Sequence, residues 1–160
     1  ESIRWLCENE KIPIFADPVS TAKAVRLKPV LGKLHTLKPN RMEAELLSGV
    51  AITDEKSLEK AARILLDTGL RRVFISLGKE GVYAADHSEA LRLTCCPACA
   101  VNATGAGDAF MAALAWAYLE GTDLAETASL AQAAAAIALE GAETINPALS
   151  AQAVRARAGL

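Results

Sequence analysis

The residues best suited to chemistry lie in a glycine-rich segment, residues 101–110, that follows an apolar run and opens into a long helical pattern. Gly105 and Gly107 let the backbone bend and let a ligand approach without a Cβ in the way. The free N–H groups and the dipole of a helix N-terminus favour an anion there. Asp108 falls in the first helical turn, where its carboxylate suits a general base acting beside a phosphoryl group.

Local sequence alone leaves a second interpretation of Asp108 open. Acidic residues are favoured in the first turn of any helix, and glycine-rich turns are common. The segment is not a P-loop, because no Gly-Lys-Ser/Thr follows the glycines. It is not a dinucleotide fingerprint either, because the third glycine is absent.

The composition indicates one globular domain without an obvious macromolecular partner. The chain has 160 residues, of which 52% are hydrophobic and 22% charged, and its formal net charge is −2. A nearly neutral domain lacks the basic surface that nucleic acids and anionic membranes attract. No apolar run reaches the roughly 18 residues that a membrane span requires. We therefore expect neither a nucleic-acid nor a membrane partner.

Four cysteines occur, and Cys96 and Cys99 have CxxC spacing. A zinc site would need a second ligand pair at similar spacing, and the remaining candidates are scattered singly (Cys7, His35 and His87). A metal site, a redox pair and an ordinary loop of small residues all stay open. Free thiols favour a reducing compartment, so we expect a cytoplasmic protein.

Hydrophobic periodicity predicts strands that alternate with helices. The predicted helices cover residues 2–9, 22–33, 42–48, 54–68, 106–120 and 123–139, with another after Ser150, and Thr122 is the predicted N-cap of the helix that begins at residue 123. The predicted strands cover residues 12–16, 34–37, 73–77, 82–85, 91–93 and 98–101. This alternation implies a parallel sheet covered on both faces, with an antiparallel hairpin around residues 78–81. Functional residues should follow the carboxyl ends of the strands.

Three segments in order resemble the PfkB (ribokinase-like) family of carbohydrate and nucleoside kinases. Residues 102–108 (NATGAGD) resemble its D-T-x-G-A-G-D signature, and residues 38–43 (KPNRME) resemble its N-x-x-E motif. Residues 75–81 (ISLGKEG) resemble its S/T-L-G-x-x-G turn. The resemblance implies an α/β, ribokinase-like three-layer αβα fold. It also implies that residues 1–160 form a single domain, the C-terminal nucleotide-binding and catalytic half of such a kinase.

The resemblance further implies an ATP-dependent phosphotransferase with Asp108 as the base. The anion hole over the transferring phosphoryl group would be formed by the N–H groups of Gly105, Ala106 and Gly107. The implied nucleotide-binding residues are Asn40, Ser76, Gly78, Gly81 and Thr104.

Asn40 and Glu43 would also organise Mg²⁺ through water, since a hard cation prefers oxygen ligands and retains water. The alternative for Glu43 is an ordinary solvated helix residue. For Ser76 and Gly78 the alternative is a plain hairpin turn.

The signature departs from the family at its first positions. Asn102 stands where the family usually has Asp, and Ala103 replaces the common Thr. In many relatives that Asp, the Thr matching Thr104 and a loop matching residues 141–146 hold a monovalent cation such as K⁺. Asn102 could offer a carbonyl oxygen but no charge, so the sequence leaves open whether this chain binds a monovalent cation.

Within the family, the chain is most similar to the pseudouridine kinase subgroup. The resemblance rests on residues 17–20 (DPVS), residues 36–49 (TLKPNRMEAELLSG) and the signature segment. It implies a nucleoside acceptor phosphorylated at the ribose 5-hydroxyl, with Asp17 as the candidate substrate contact. The alternative is another ribokinase-like kinase with a small sugar or nucleoside substrate.

The family's sugar pocket and its lid, which often forms a homodimer, belong to an N-terminal half that is absent here. We therefore expect little activity from this chain alone, because the acceptor would be neither positioned nor shielded from water. The rival interpretation is a non-catalytic nucleotide-binding remnant. The intact motif residues Asp108, Asn40 and Glu43 argue against decay.

Overall fold

The computed structural model describes residues 2–160. Its α-helices are α1 Ser2–Asn9, α2 Thr21–Ala24, α3 Arg41–Ser48, α4 Glu55–Asp67, α5 Ala106–Glu120, α6 Leu124–Glu140 and α7 Ala151–Ala158. Its strands are β1 Phe15–Ala16, β2 Thr36–Leu37, β3 Arg72–Ser76, β4 Val82–Asp86 and β5 Ala90–Leu93. Two 3₁₀ helices cover Val25–Lys33 and Gly78–Glu80.

The strands form one sheet in the order β1-β2-β3-β4-β5. β1 pairs with β2 and β2 with β3, both in parallel, with Ala16 opposite Leu37 and Leu37 opposite Val73. The β3–β4 and β4–β5 connections are shorter than the dozen or so residues that a parallel crossover needs, so these strands run antiparallel. In the β4–β5 turn, Asp86 N donates to Glu89 O at 2.9 Å. The predicted α/β fold with an antiparallel edge is confirmed.

The described residues form two compact units. The first comprises residues 2–78 and 83–91, and the second comprises residues 79–82 and 92–160. The core of the first unit contains residues that are under 2% exposed: Leu34, Leu37, Leu65, Leu70, Val73 and Ile75. α4 supplies one wall of this core, and its start is fixed by Asp54, whose carboxylate accepts a hydrogen bond from Ser57 N at 2.8 Å.

The second unit is built on the alanine-rich pair α5 and α6, joined by a short connection that makes a helical hairpin. Small side chains allow the two helices to approach closely, and α7 packs on α6. Arg155 of α7 pairs with Glu120 at 2.9 Å and lies over the Trp116 ring, 5.0 Å from its centroid. Arg157 forms two bonds to Glu140, of 3.0 and 2.8 Å. α7 therefore ties the end of α5 to the end of α6.

Three local predictions were wrong. Residues 22–33 do not form one α-helix, because Pro29 lacks the N–H that an α-helical turn requires and the chain continues as 3₁₀. Thr122 is not the N-cap of α6, because the Asp123 carboxylate accepts from Glu126 N at 2.8 Å. Residues 98–101 form no strand, and Val101 N instead donates to Leu139 O at 2.8 Å.

Candidate active site

In the first unit, Asn40 and Glu43 cap the N-terminus of α3 through reciprocal hydrogen bonds. Asn40 is the N-cap, and its Oδ1 accepts from Glu43 N at 2.9 Å. The Glu43 Oε2 accepts in return from Asn40 N, also at 2.9 Å. Glu43 is only 2% exposed, so the alternative of an ordinary solvated helix residue does not hold. The predicted motif is a reciprocal capping box with a buried carboxylate.

Asn40 and Ser76 lie side by side at the carboxyl edge of the sheet. They form an isolated parallel bridge, in which Ser76 N donates to Pro39 O at 2.9 Å. The Ser76 hydroxyl also faces that carbonyl, but at 3.5 Å the contact is weak. Gly78 follows with a φ of +61°, and no atom lies within 4 Å of the position that a Cβ would take. The predicted nucleotide residues of this unit therefore adjoin open space.

Asp17 forms an ion pair with a buried lysine that the sequence interpretation missed. Its Oδ2 lies 2.8 Å from the Nζ of Lys38, whose side chain is 9% exposed. The strand register gives the signal that could have found the pair, because Ala16 lies opposite Leu37 and the next residues of both strands must be neighbours. Lys38 thus places a buried positive charge two residues before the Asn40 cap.

The loop after Asp17 has an unusual backbone. The other carboxylate oxygen, Oδ1, accepts from Val19 N at 2.9 Å. Val19 has a φ of +65°, and Ser20 N donates to Pro18 O at 2.8 Å across it. This is a γ-turn of the positive-φ type, which is rare and strained for a β-branched residue. The turn holds Oδ1 and Lys38 holds Oδ2, so both Asp17 oxygens have fixed directions.

In the second unit, Gly105 sets the start of α5. Its φ is +88°, a left-handed conformation, and a Cβ there would lie 2.3 Å from Thr144 O. Both constraints require glycine. Because this N-cap has no side chain, the N–H groups of Ala106, Gly107 and Asp108 have neither an intrahelical partner nor a capping side chain. The helix therefore presents donors to an anion.

Asp108 is the third residue of α5, and its side chain is exposed. Among residues 79–82 and 92–160, no hydrogen bond or ion pair engages its carboxylate. A general base must be free to accept a proton, and the structure leaves this carboxylate free within its own unit. The predicted anion hole and base are thus brought together in one helical turn.

The turn before α5 is joined to residues 141–146. Asn102 Oδ1 accepts from Thr104 N at 2.9 Å, and Asn102 Nδ2 donates to Ala142 O at 3.2 Å. Thr104 itself is exposed, as a nucleotide contact would need. The Asn102 side chain therefore links the signature turn to the loop that the family resemblance pairs with it.

Gly81 has a structural reason to be glycine. A Cβ at this position would lie 1.9 Å from Leu93 O and 2.8 Å from Cys95 N. The residue is buried against that backbone. Its predicted contact with a nucleotide stays a prediction, since close packing already explains the residue type.

The cysteines provide no metal centre within residues 2–160. Cys7, Cys95, Cys96 and Cys99 are free thiols. No group of three or more His, Cys, Asp and Glu side chains among those residues is arranged to hold a metal ion. In the same part of the chain, every helix is too short or too polar to cross a membrane.

Comparison with known proteins gives a consistent set of relatives. The family model described as pfkB family carbohydrate kinase matches residues 1–151. Pseudouridine kinase of Escherichia coli K12 is 41% identical over 152 residues, which are 94% of this chain and 49% of that protein. A Clostridium perfringens protein assigned to the sugar kinases has a TM-score of 0.94 at 34% identity, over 99% of this chain and 51% of that one.

Arabidopsis thaliana ribokinase complexed with ribose and ATP has a TM-score of 0.77 at 25% identity. The match covers 93% of this chain and 48% of that structure. The chain thus spans about half the length of the relatives it matches.

Proposed function

Because the chain belongs to the pfkB family of carbohydrate kinases, we propose that it supplies the nucleotide-binding and catalytic residues for ATP-dependent phosphorylation of a sugar or nucleoside hydroxyl. The N-terminus of α5 carries the proposal. Three N–H donors without helical partners stand in the same turn as an exposed carboxylate. That pairing suits a reaction in which a hydroxyl loses its proton while a phosphoryl group gains negative charge.

Asp108 accepts the proton of the acceptor hydroxyl as the hydroxyl oxygen attacks the γ-phosphorus of ATP. The N–H groups of Gly105, Ala106 and Gly107 donate to the oxygens of the transferring group, where charge develops. The left-handed backbone of Gly105 (φ +88°) sets the start of α5, so these donors point the same way before and after the charge appears. The bond to the leaving ADP breaks as the new phosphate ester forms.

The first unit offers oxygen ligands that fit Mg²⁺. Glu43 Oε2 and Asn40 Oδ1 each accept one backbone hydrogen bond in the capping box, and each oxygen retains a further lone pair. A buried carboxylate next to an exposed amide suits a cation that keeps several waters. When bound, Mg²⁺ supplies positive charge against the phosphates.

Ser76, Gly78, Gly81 and Thr104 are proposed nucleotide contacts. The Arabidopsis ribokinase, whose structure is a complex with ribose and ATP, supports ATP as this nucleotide.

For the acceptor we propose pseudouridine, phosphorylated at the 5-hydroxyl of its ribose. The E. coli pseudouridine kinase at 41% identity supports this, as does the resemblance of residues 17–20 and 36–49 to that subgroup. Asp17, fixed by Lys38 and by the Val19 turn, is the proposed acceptor contact. The alternative acceptor is ribose, which the Haemophilus influenzae ribokinase at 35% identity supports. Dimerisation through the family lid stays a prediction.

The test completes the chain with the N-terminal half of such a kinase and measures phosphoryl transfer from radiolabelled ATP to pseudouridine, uridine, ribose and fructose. We expect transfer to pseudouridine and little to uridine, its N-nucleoside isomer with the same ribose. If ribose is phosphorylated and the other three compounds are not, the acceptor is the free sugar and not the nucleoside.

Melting of the chain with and without ATP and Mg²⁺ separates the remaining cases. Stabilisation without transfer to any acceptor would indicate a non-catalytic nucleotide-binding module. Neither stabilisation nor transfer would overturn the proposed function.

A further inference from the structure

An asparagine amide joins the turn before α5 to residues 141–146, and the two partners of that amide fix its orientation. Asn102 Oδ1 faces Thr104 N at 2.9 Å, and a backbone N–H can only donate. Asn102 Nδ2 faces Ala142 O at 3.2 Å, and a carbonyl can only accept. The amide nitrogen, not the oxygen, therefore points at residues 141–146.

This orientation does not fit a monovalent cation at the same place. A hard cation needs oxygen ligands directed at it, and the single side-chain oxygen of Asn102 is turned to Thr104 N. The Nδ2–H that donates to the Ala142 carbonyl stands between that carbonyl and Asn102, and its hydrogen carries partial positive charge that repels a cation there. Asn102 also brings no negative charge to offset the charge of an ion.

The neighbouring carbonyls are likewise taken by N–H donors. Leu139 O accepts from Val101 N at 2.8 Å and from Asn102 N at 3.1 Å. Ile137 O accepts from Asn146 Nδ2 at 2.6 Å. The end of α6 and the loop after it are therefore fastened by hydrogen bonds on the side where they meet the turn.

We propose that the Asn102 amide takes the place of a monovalent cation in this chain. Its N–H links to the Ala142 carbonyl and its oxygen links to Thr104 N, so the turn keeps its shape without K⁺ or Na⁺. Asn102 is a positioning residue, because it acts on the donors of α5 through Thr104 and Gly105. That last step rests on the proposed function, which assigns the anion hole to this turn.

The first test compares the thermal unfolding of the wild-type chain and Asn102→Asp in choline chloride and in KCl at equal ionic strength. The wild-type melting temperature should be the same in both salts. In choline chloride, Asn102→Asp should melt about 2–4 °C lower, because a carboxylate loses the donor and faces the Ala142 carbonyl. K⁺ should restore that loss saturably, because carboxylate and carbonyl oxygens now offer a cation site.

Asn9→Asp is the matched control. Asn9 also donates its Nδ2 to a backbone carbonyl, that of Trp5, at 2.9 Å, but on the exposed face of α1. The chemical change is the same, and no K⁺-specific recovery should follow. A recovery shared by both variants would reduce the result at Asn102 to a general salt effect and overturn the proposal.

Two further results would overturn it: a saturable K⁺-specific rise in the wild-type melting temperature, and an Asn102→Asp variant that folds without responding to K⁺. If that variant does not fold, equilibrium dialysis of the wild-type chain against radioactive Rb⁺ decides. Stoichiometric binding contradicts the proposal, and no binding supports it. These readouts involve neither nucleotide nor phosphoryl transfer, so they stand apart from any failure of the proposed function.

Discussion

The N-termini of α3 and α5 carry an acidic residue at the same position, the third of the helix, and use it in opposite ways. Glu43 of α3 is 2% exposed, and its carboxylate accepts from the N-cap residue Asn40. Asp108 of α5 is exposed, and its N-cap residue Gly105 offers no side chain. At the N-terminus of α3 the carboxylate and the N-cap residue hydrogen-bond to each other. At the N-terminus of α5 the N–H donors and the carboxylate are available to a ligand.

The difference lies in the N-cap residue. An asparagine cap satisfies one of the orphan N–H groups, and a glutamate three residues later satisfies the N–H of the cap itself. A glycine cap in the left-handed region satisfies neither and removes the Cβ that would obstruct a ligand. An acidic residue in the first turn of a helix therefore indicates chemistry only when its carboxylate accepts no hydrogen bond from the N-cap residue.

The largest expected effect is on turnover at the N-terminus of α5. In an enzyme completed by the N-terminal half, Asp108→Asn should lower kcat by roughly 10²–10⁴, the usual contribution of a positioned base. The melting temperature should stay near the wild-type value, because no partner within the second unit is lost. Steady-state kinetics and a melting curve on the same preparation check both. Near-full turnover would remove Asp108 from the role of base.

The next effect concerns the glycine caps of α5. Gly121→Ala, at the C-terminal cap with a φ of +73° and no neighbour within 4 Å, should cost about 1–2 kcal/mol for the left-handed backbone alone. Gly105→Ala should cost more, because its Cβ would also lie 2.3 Å from Thr144 O. Urea unfolding measures both. Equal losses would show that the Thr144 contact does not constrain the turn.

At the N-terminus of α3, two substitutions separate capping from metal binding. Glu43→Ala should cost about 1 kcal/mol, the scale of a lost helix cap, and should weaken the response to Mg²⁺. Glu43→Gln keeps an oxygen for Asn40 N, so its stability should stay near wild type while the half-saturating Mg²⁺ concentration rises. If both variants keep the wild-type dependence on Mg²⁺, Glu43 caps the helix and takes no part in Mg²⁺ binding.

The smallest effect concerns the support that α5 and α6 receive from α7. The hydrogen bonds from Arg157 hold the pKa of Glu140 below its ordinary value of 4.5. A lowered folded-state pKa stabilises the fold above the ordinary value, and that stabilisation is lost as the pH falls through the lowered one.

Glu140→Gln should therefore melt below wild type at neutral pH. The difference should begin to shrink as the pH falls below about 4.5 and should vanish only below the lowered pKa of Glu140. Melting curves across that range measure it. Glu143→Gln, on the exposed loop that follows, is the control for the substitution itself and should melt close to wild type at neutral pH. A difference that persists unchanged in acid would point to packing instead of charge.

Local signals in the sequence predict the helix starts and the signature turn. Asp54, one of two candidate caps with Thr53, caps α4, and α7 begins after Ser150 as predicted. α5 begins directly after Gly105. Each of these features is decided by residues within one turn.

What the sequence could not predict depends on contacts between distant residues. The Asp17–Lys38 pair arises only when two strands align, and Val101 is drawn to Leu139 O and not to a strand. Thr122 and Asp123 are both good cap residues, and only the backbone conformation chooses Asp123. The partners of Asn102 lie up to forty residues away, so its role as a donor needed the structure.

The ion pair between Arg157 of α7 and Glu140 of α6 also has a consequence during translation of the chain. Arg157 follows its partner Glu140 by 17 residues, and a ribosome adds about 5–20 residues per second. For about one to three seconds the nascent α5–α6 pair therefore exists without the ion pair that later fastens its end. During that interval the alanine-rich interface alone must hold the pair together, and it is then that a chaperone could reach it.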